Sequence, residues 1–136
     1  MAVIGHGVDL VMVARIASSI AEHGHRFIDR VYTKGEQAEC VAGGLEALTA
    51  PQRARAMRRL AARFAAKEAA MKALGTGLAD GISWQDIEVV NLATGQPTLM
   101  VTGRAEQLAM QRGIAHWHVS LSDQDDWAIA SVIAEG

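Results

Sequence analysis

Cysteine is almost missing from this chain. Cys40 is the only one, so no intramolecular disulfide can form and no thiolate zinc site can be assembled. That suits a reducing compartment. Proline occurs only at Pro51 and Pro97, and both read as starts of elements rather than breaks within them. No apolar run approaches the length that crosses a bilayer. The opening Met1-Ala2-Val3-Ile4-Gly5-His6 has neither the basic region nor the apolar core of a secretion signal. The expectation is a soluble, cytoplasmic protein with no membrane partner. A basic excess is lacking too. With net charge −2 and a pI near 6.2, and no recognised binding motif, the chain does not read as a nucleic-acid-binding domain.

What is present fits one domain over residues 1–136, long enough to bury a modest core. Hydrophobic residues make up 50% and charged residues 21%, a balance that favours a globular chain over a disordered one. The charge is unevenly placed. Arg53, Arg55, Arg58, Arg59, Arg63, Lys67 and Lys72 fall within one stretch that holds a single acid, Glu68. No Lys or Arg follows Arg112, whereas Asp123, Asp125, Asp126 and Glu135 gather at the end. A local basic surface on a mildly acidic protein suits a phosphate-rich ligand or an acidic partner, although a solvated helix face has the same pattern.

Residues 3–10 alternate as a strand interrupted by Gly5 and Gly7. The spacing turns helical over 11–23, with Gly24 as a stop, and 26–31 forms a short helix. Thr33-Lys34-Gly35-Glu36 has the form of a capping box, so a helix begins there and Gly43-Gly44 ends it. Pro51 opens a long helix that runs to Leu74 and stops at Gly75. Strands follow at 87–90 and 97–102 around the turn 91–95. A helix spans 104–112, and 116–121 with 127–134 makes a final hairpin around the acidic turn 123–126. Hairpin links imply an antiparallel sheet, so the class is α+β, with the sheet packed on a long central helix.

Two carboxylates stand out. The apolar stripe of the long helix is Met57, Leu60, Phe64 and Met71. Glu68 lies four residues after Phe64 and three before Met71, so it points into the middle of that stripe. An ionised carboxylate is costly to bury unless it is paired or binds a metal. Lys72 is one turn further on and Lys67 flanks the stripe. The face therefore offers a carboxylate between two ammonium groups. A metal bridging Glu68 to a phosphate would use all three, but an ordinary Glu–Lys pair, worth on the order of tenths of a kcal/mol, has the same spacing. Asp9 ends an otherwise apolar strand. It reads as a helix N-cap or as a metal ligand. Two carboxylates, phosphate oxygens and water suit Mg²⁺.

These segments resemble a known family across nearly the whole chain. The opening Ile4-Gly5-His6-Gly7-Val8-Asp9-Leu10 is similar to its first motif, and Arg63-Phe64-Ala65-Ala66-Lys67-Glu68-Ala69-Ala70-Met71-Lys72-Ala73-Leu74-Gly75-Thr76-Gly77 to its central signature. Ser83-Trp84-Gln85-Asp86-Ile87-Glu88-Val89, Gly95-Gln96-Pro97 and His118-Val119-Ser120-Leu121-Ser122 match the remaining segments in order and spacing. The family is the holo-acyl-carrier-protein synthases, within the 4′-phosphopantetheinyl transferases. Three departures stand out. Asp123-Gln124 occupies a place where many members carry His-Thr, Met71 replaces a frequent serine, and the stretch 40–58 is longer than in compact members.

The resemblance implies transfer of phosphopantetheine from coenzyme A to a serine of an acyl carrier protein, in support of fatty acid biosynthesis. It implies that Asp9 and Glu68 hold Mg²⁺, that Glu68 or a water is the base, and that Lys72 balances charge on the leaving group. It assigns Arg63, Lys67, Lys72, Pro97 and His118 to coenzyme A, and Arg15, Arg26 and Phe27 to docking of the carrier protein. It further implies a homotrimer with sites between subunits, which Pro97 and His118 serve from a neighbour. A non-catalytic binder of coenzyme A or carrier protein is the competing reading, and Asp9, Glu68 and Lys72 together argue against it.

Overall fold

A capping box starts the central helix. The Thr49 amide donates to Gln52 Oε1 at 2.9 Å, and the Gln52 amide donates to Thr49 Oγ1 at 3.3 Å. Pro51 then sits in the first turn, where its missing N–H has no partner to lose. The helix ends at Gly75, which takes the left-handed conformation at φ 79°. In the computed structural model, which describes all 136 residues, this helix spans Ala50–Leu74 and is about 37 Å long. It is the fourth of five, after α1 (Val13–His23), α2 (His25–Val31) and α3 (Lys34–Cys40), and before α5 (Gly103–Gln111). The stretch between α3 and α4 holds one short 3-10 turn at Leu45–Ala47.

Five strands complete the fold: β1 (Val3–Met12), β2 (Ile87–Asn91), β3 (Pro97–Val101), β4 (His116–Gln124) and β5 (Trp127–Glu135). All pairings are antiparallel. The single sheet expected from the hairpins is in fact two. β1, β5 and β4 form one in that order, while β2 and β3 form a separate ribbon. Hydrophobic alternation specifies hairpins but does not say which hairpins share a ladder. β1 extends two residues beyond its expected end because Val11 and Met12 pair with Ala128 and Trp127. α1 consequently starts at Val13, without a side-chain cap. Its first amide donates instead to the Asp126 carbonyl in the β4–β5 turn at 2.8 Å. Asp9 is therefore a strand residue and not a helix cap.

α4 lies across the inner face of the three-stranded sheet. Ala128, Ala130, Val132 and Ala134 of β5 are buried against it. On β1 the inward positions include Gly5 and Gly7. A Cβ on Gly7 would fall on the Ala69 carbonyl oxygen, and one on Gly5 on the Ala73 carbonyl oxygen. The glycines therefore permit backbone-to-backbone contact between strand and helix. Gly7→Ala is expected to lower unfolding stability by at least about 1–3 kcal/mol, read from the urea midpoint. An unchanged midpoint would contradict the close approach.

Candidate active site

Strand alternation turns Asp9 toward α4, on the same side as Gly7 and Val11. Its side chain is 17% exposed. Lys72 reaches over from the last turn of α4, donating to Asp9 Oδ1 at 3.2 Å and to the Val8 carbonyl at 2.9 Å. Glu68 stands one turn before Lys72 and is partly buried. Burial, and then the Asp9 charge, hold the Glu68 carboxyl above its usual pKa; Arg15 and Lys72 pull the other way. No hydrogen bond is among the influences that favour its charged form. Two carboxylates thus repel each other at one point with only partial compensation. That arrangement is suited to a cation that takes oxygen ligands.

Beside Glu68 is a cavity of about 160 Å³, walled by Arg15, Phe27, Phe64 and Trp84 among others. Its aromatic wall is ordered by stacking. The Phe64 and Trp84 ring centroids are 5.0 Å apart, and the Arg15 guanidinium lies 5.3 Å from the Phe64 centroid. Next to it a wider groove of about 550 Å³ runs along α1 and α2, lined by Ser19, His23, Arg26, Phe27 and Arg30. Arg15, Arg26 and Phe27 therefore border a continuous, positively charged approach to Glu68. Ser19, His23 and Arg30 belong to the same approach. Nothing in their spacing marked them, because α1 and α2 meet only in the fold.

Lys67 is a correction to the sequence reading. Its side chain is 0% exposed, and its ammonium bonds Glu36 Oε1 at 2.7 Å, the Trp84 carbonyl at 3.1 Å and the Ile87 carbonyl at 2.5 Å. With all three donors engaged inside the core, it has nothing left for a coenzyme A phosphate. The single-stripe view of α4 failed because this helix is buried on several sides. A neighbour 100° away on such a helix faces a different wall. Arg63, one turn earlier on that same side, is buried as well, and its Nε has no partner. Glu36 was visible in the sequence only as half of a capping box. Its burial follows from α3 packing on α4 and β2.

Within one chain, Pro97 and His118 are not brought to Asp9. Pro97 pairs with Asn91 at the turn end of the β2–β3 ribbon. His118 lies on the outer face of the sheet, 3.2 Å from Glu135. Half of the Arg-rich surface is answered locally. Arg58 reaches Asp123 at 3.6 Å and Arg59 reaches Glu39 at 3.7 Å, so the exposed basic patch is smaller than the sequence suggested.

The first strand and the long helix of an α+β domain thus bring Asp9, Glu68 and Lys72 together at one point. Comparison narrows the class. Residues 5–132 match the model of the 4′-phosphopantetheinyl transferase superfamily. A holo-[acyl-carrier-protein] synthase of Koribacter versatilis is 44% identical over 133 residues, covering 98% of both chains. Among solved structures, the acyl carrier protein synthase of Plasmodium yoelii with ADP bound superposes with a TM-score of 0.80 at 31% identity, covering 98% of this chain and 95% of that one. The Bacillus anthracis synthase in complex with coenzyme A (3′,5′-ADP) gives 0.73 at 30% identity, covering 97% and 96%. The chain belongs to the 4′-phosphopantetheinyl transferase superfamily.

The raised Glu68 carboxyl predicts a stability signature. Ionising Glu68 is less favourable in the folded than in the unfolded chain. The destabilisation is therefore absent below the ordinary glutamate range and grows as pH rises through that range toward the raised folded value. In metal-free buffer, Glu68→Gln should melt above the wild type at pH 7, and the gap should close on acidification. Equal melting temperatures at pH 7 would contradict the desolvation described here.

Proposed function

We propose that this protein transfers the 4′-phosphopantetheine group of coenzyme A to a serine of apo acyl carrier protein, releasing adenosine 3′,5′-bisphosphate, in support of fatty acid biosynthesis. The convergence of Asp9, Glu68 and Lys72 carries the reading. A new bond forms between the serine Oγ and the phosphorus that bears pantetheine. The pyrophosphate P–O bond breaks, and the serine proton must be removed. Glu68 takes that proton, directly or through one water. Asp9 and Glu68 would hold Mg²⁺, which supplies charge neutralisation and orientation of the pyrophosphate. Lys72, anchored on the Val8 carbonyl, balances charge on the departing bisphosphate. Arg63 shares the closed side of α4 with Lys67, so the phosphate contact expected of it is not part of this reading.

Arg15, Arg26 and Phe27 dock the carrier protein along the basic groove, where an acidic helix would be drawn in and oriented. In this reading the reaction takes place in the cytoplasm. Intact mass spectrometry of an apo carrier protein incubated with this protein, coenzyme A and Mg²⁺ tests the activity. The expected result is the gain of one phosphopantetheine, lost with EDTA and lost in Glu68→Ala. Near-normal transfer by Glu68→Ala would remove the proposed site.

The working unit in this reading is a homotrimer with sites between subunits. Support comes from the outer face of the three-stranded sheet. Leu10, Met12, Trp127 and Ile129 are 56%, 49%, 46% and 41% exposed, with Leu10 opposite Ile129 and Met12 opposite Trp127 in the ladder. A contiguous apolar patch of this kind marks an interaction surface. The same face carries His118, which a copy packed there would bring toward a neighbour's site. Sedimentation should give three times the 14.5 kDa chain mass, and Leu10→Lys with Ile129→Lys should reduce it to one. A wild-type monomer at assay concentration would overturn the trimer.

A further inference from the structure

Beside Glu68 the flanks of the long helix carry small side chains, while Phe64 and Met71 fill its apolar stripe. The residues that bury its flanks there are Ala65, Ala66, Ala69 and Ala70. Methyl groups form shallow ridges, and ridges set into grooves are what index one element against another. A slip of one residue turns a helix by 100° and advances it 1.5 Å, enough to carry Glu68 away from Asp9. The glycine contact with β1 fixes the distance between strand and helix, and Phe64 and Met71 pack on one side, but the alanine flanks give the α3 and β2 side little to index against.

The residue next to Glu68 supplies a polar index on that side. Lys67 Nζ has three donors and meets three acceptors: Glu36 Oε1, the Trp84 carbonyl and the Ile87 carbonyl. Glu36 is fully committed in return. It accepts from the Thr33 amide at 3.0 Å and from the Val89 amide at 2.9 Å. Both side chains are 0% exposed. The start of α3, the turn before β2 and β2 itself therefore all converge on one point of α4. Two ions in a core give up their hydration, and an apolar pair of equal volume stabilises a fold as well or better. What the ion pair adds is direction.

We propose that Glu36 and Lys67 are a positioning pair for the transfer reaction. They lock the rotation of α4 and thereby set Glu68 and Lys72 against Asp9. The inference rests on the functional reading above and assigns Lys67 a task other than binding phosphate. It also gives Glu36 a part in activity, although Glu36 touches no reacting atom.

The test is the double variant Glu36→Gln/Lys67→Met. Glutamine keeps the capping box and methionine fills the lysine stem. Thermal melting, calorimetric titration with coenzyme A, and steady-state kinetics with coenzyme A and apo carrier protein are run beside the wild type. The expected outcome is a folded protein whose kcat is about 10- to 100-fold lower, while coenzyme A affinity and KM stay within about threefold. A folded double variant with wild-type kcat would overturn the proposal. So would a large rise in KM for coenzyme A at unchanged kcat, which would return Lys67 to the phosphate. If the double variant does not fold, Glu36→Gln alone is read in the same way. Failure of both to fold would make the pair a stability device and overturn a positioning role. Absence of transfer by the wild type would instead sink the functional reading, and the pair's role with it.

Discussion

The bare-backbone contact between β1 and α4 is the constraint on which the rest depends. At Gly5 and Gly7 no side chain separates the strand from the helix carbonyls of Ala73 and Ala69. Alanines of β5 continue the same close packing alongside. The strand comes near enough for an aspartate on it to meet a lysine on the helix and to be felt by a glutamate one turn away. The chemistry of the site follows from that proximity. Two carboxylates are brought together and partly desolvated. Two cations, Arg15 and Lys72, only partly offset the repulsion. The fold supplies this electrostatic stress, and folding energy from elsewhere in the core sustains it.

α4 separates two environments. One side, carrying Glu68 and Lys72, opens toward the groove beneath α1 and α2. The other, carrying Arg63 and Lys67, is closed by α3 and β2. Lys67 and Lys72 are the same residue type five positions apart, yet one is 0% and the other 55% exposed. Burial alone divides their work. The exposed lysine spans Asp9 and the Val8 carbonyl at the rim of the site, whereas the buried one has spent its donors on backbone and on Glu36. A helix in the middle of a small domain can serve as scaffold and site at once, because each residue advance moves the side chain to another wall.

Much of this was legible in the chain itself. The Thr33 capping box announced α3 and Pro51 announced α4, since both are local devices that need no tertiary partner. Gly75 announced where α4 stops, for the same reason. Asp9 and Glu68 were conspicuous as acids in apolar surroundings. What could not be read depended on contacts far apart in sequence. Gly5 and Gly7 looked like interruptions of a strand, and only the carbonyls of α4 show that they are its working surface. Lys67 looked like a partner of Glu68 because periodicity was counted on one apolar stripe, whereas the helix is covered on several sides. The split into two sheets was hidden because alternation is identical in a strand that joins a ladder and in one that lies beside it. His118 and Pro97 were found by resemblance, and neither meets Asp9 within a single chain.

The alanines of α4 have a consequence for how such a protein can change over time. Eight of them are buried along the helix. A leucine or phenylalanine in a core can be trimmed in steps, leaving a cavity that neighbours partly fill. An alanine has almost nothing to lose, and any enlargement drives atoms into the facing strand. The centre of this molecule is therefore held at the floor of side-chain size, where only glycine lies below, at a penalty in helix stability. Variation has to be absorbed by the shell: the α3–α4 connection, the β2–β3 turn and the outward faces of the helices. A backbone shared with relatives at 30–31% identity is what such a one-sided tolerance leaves behind.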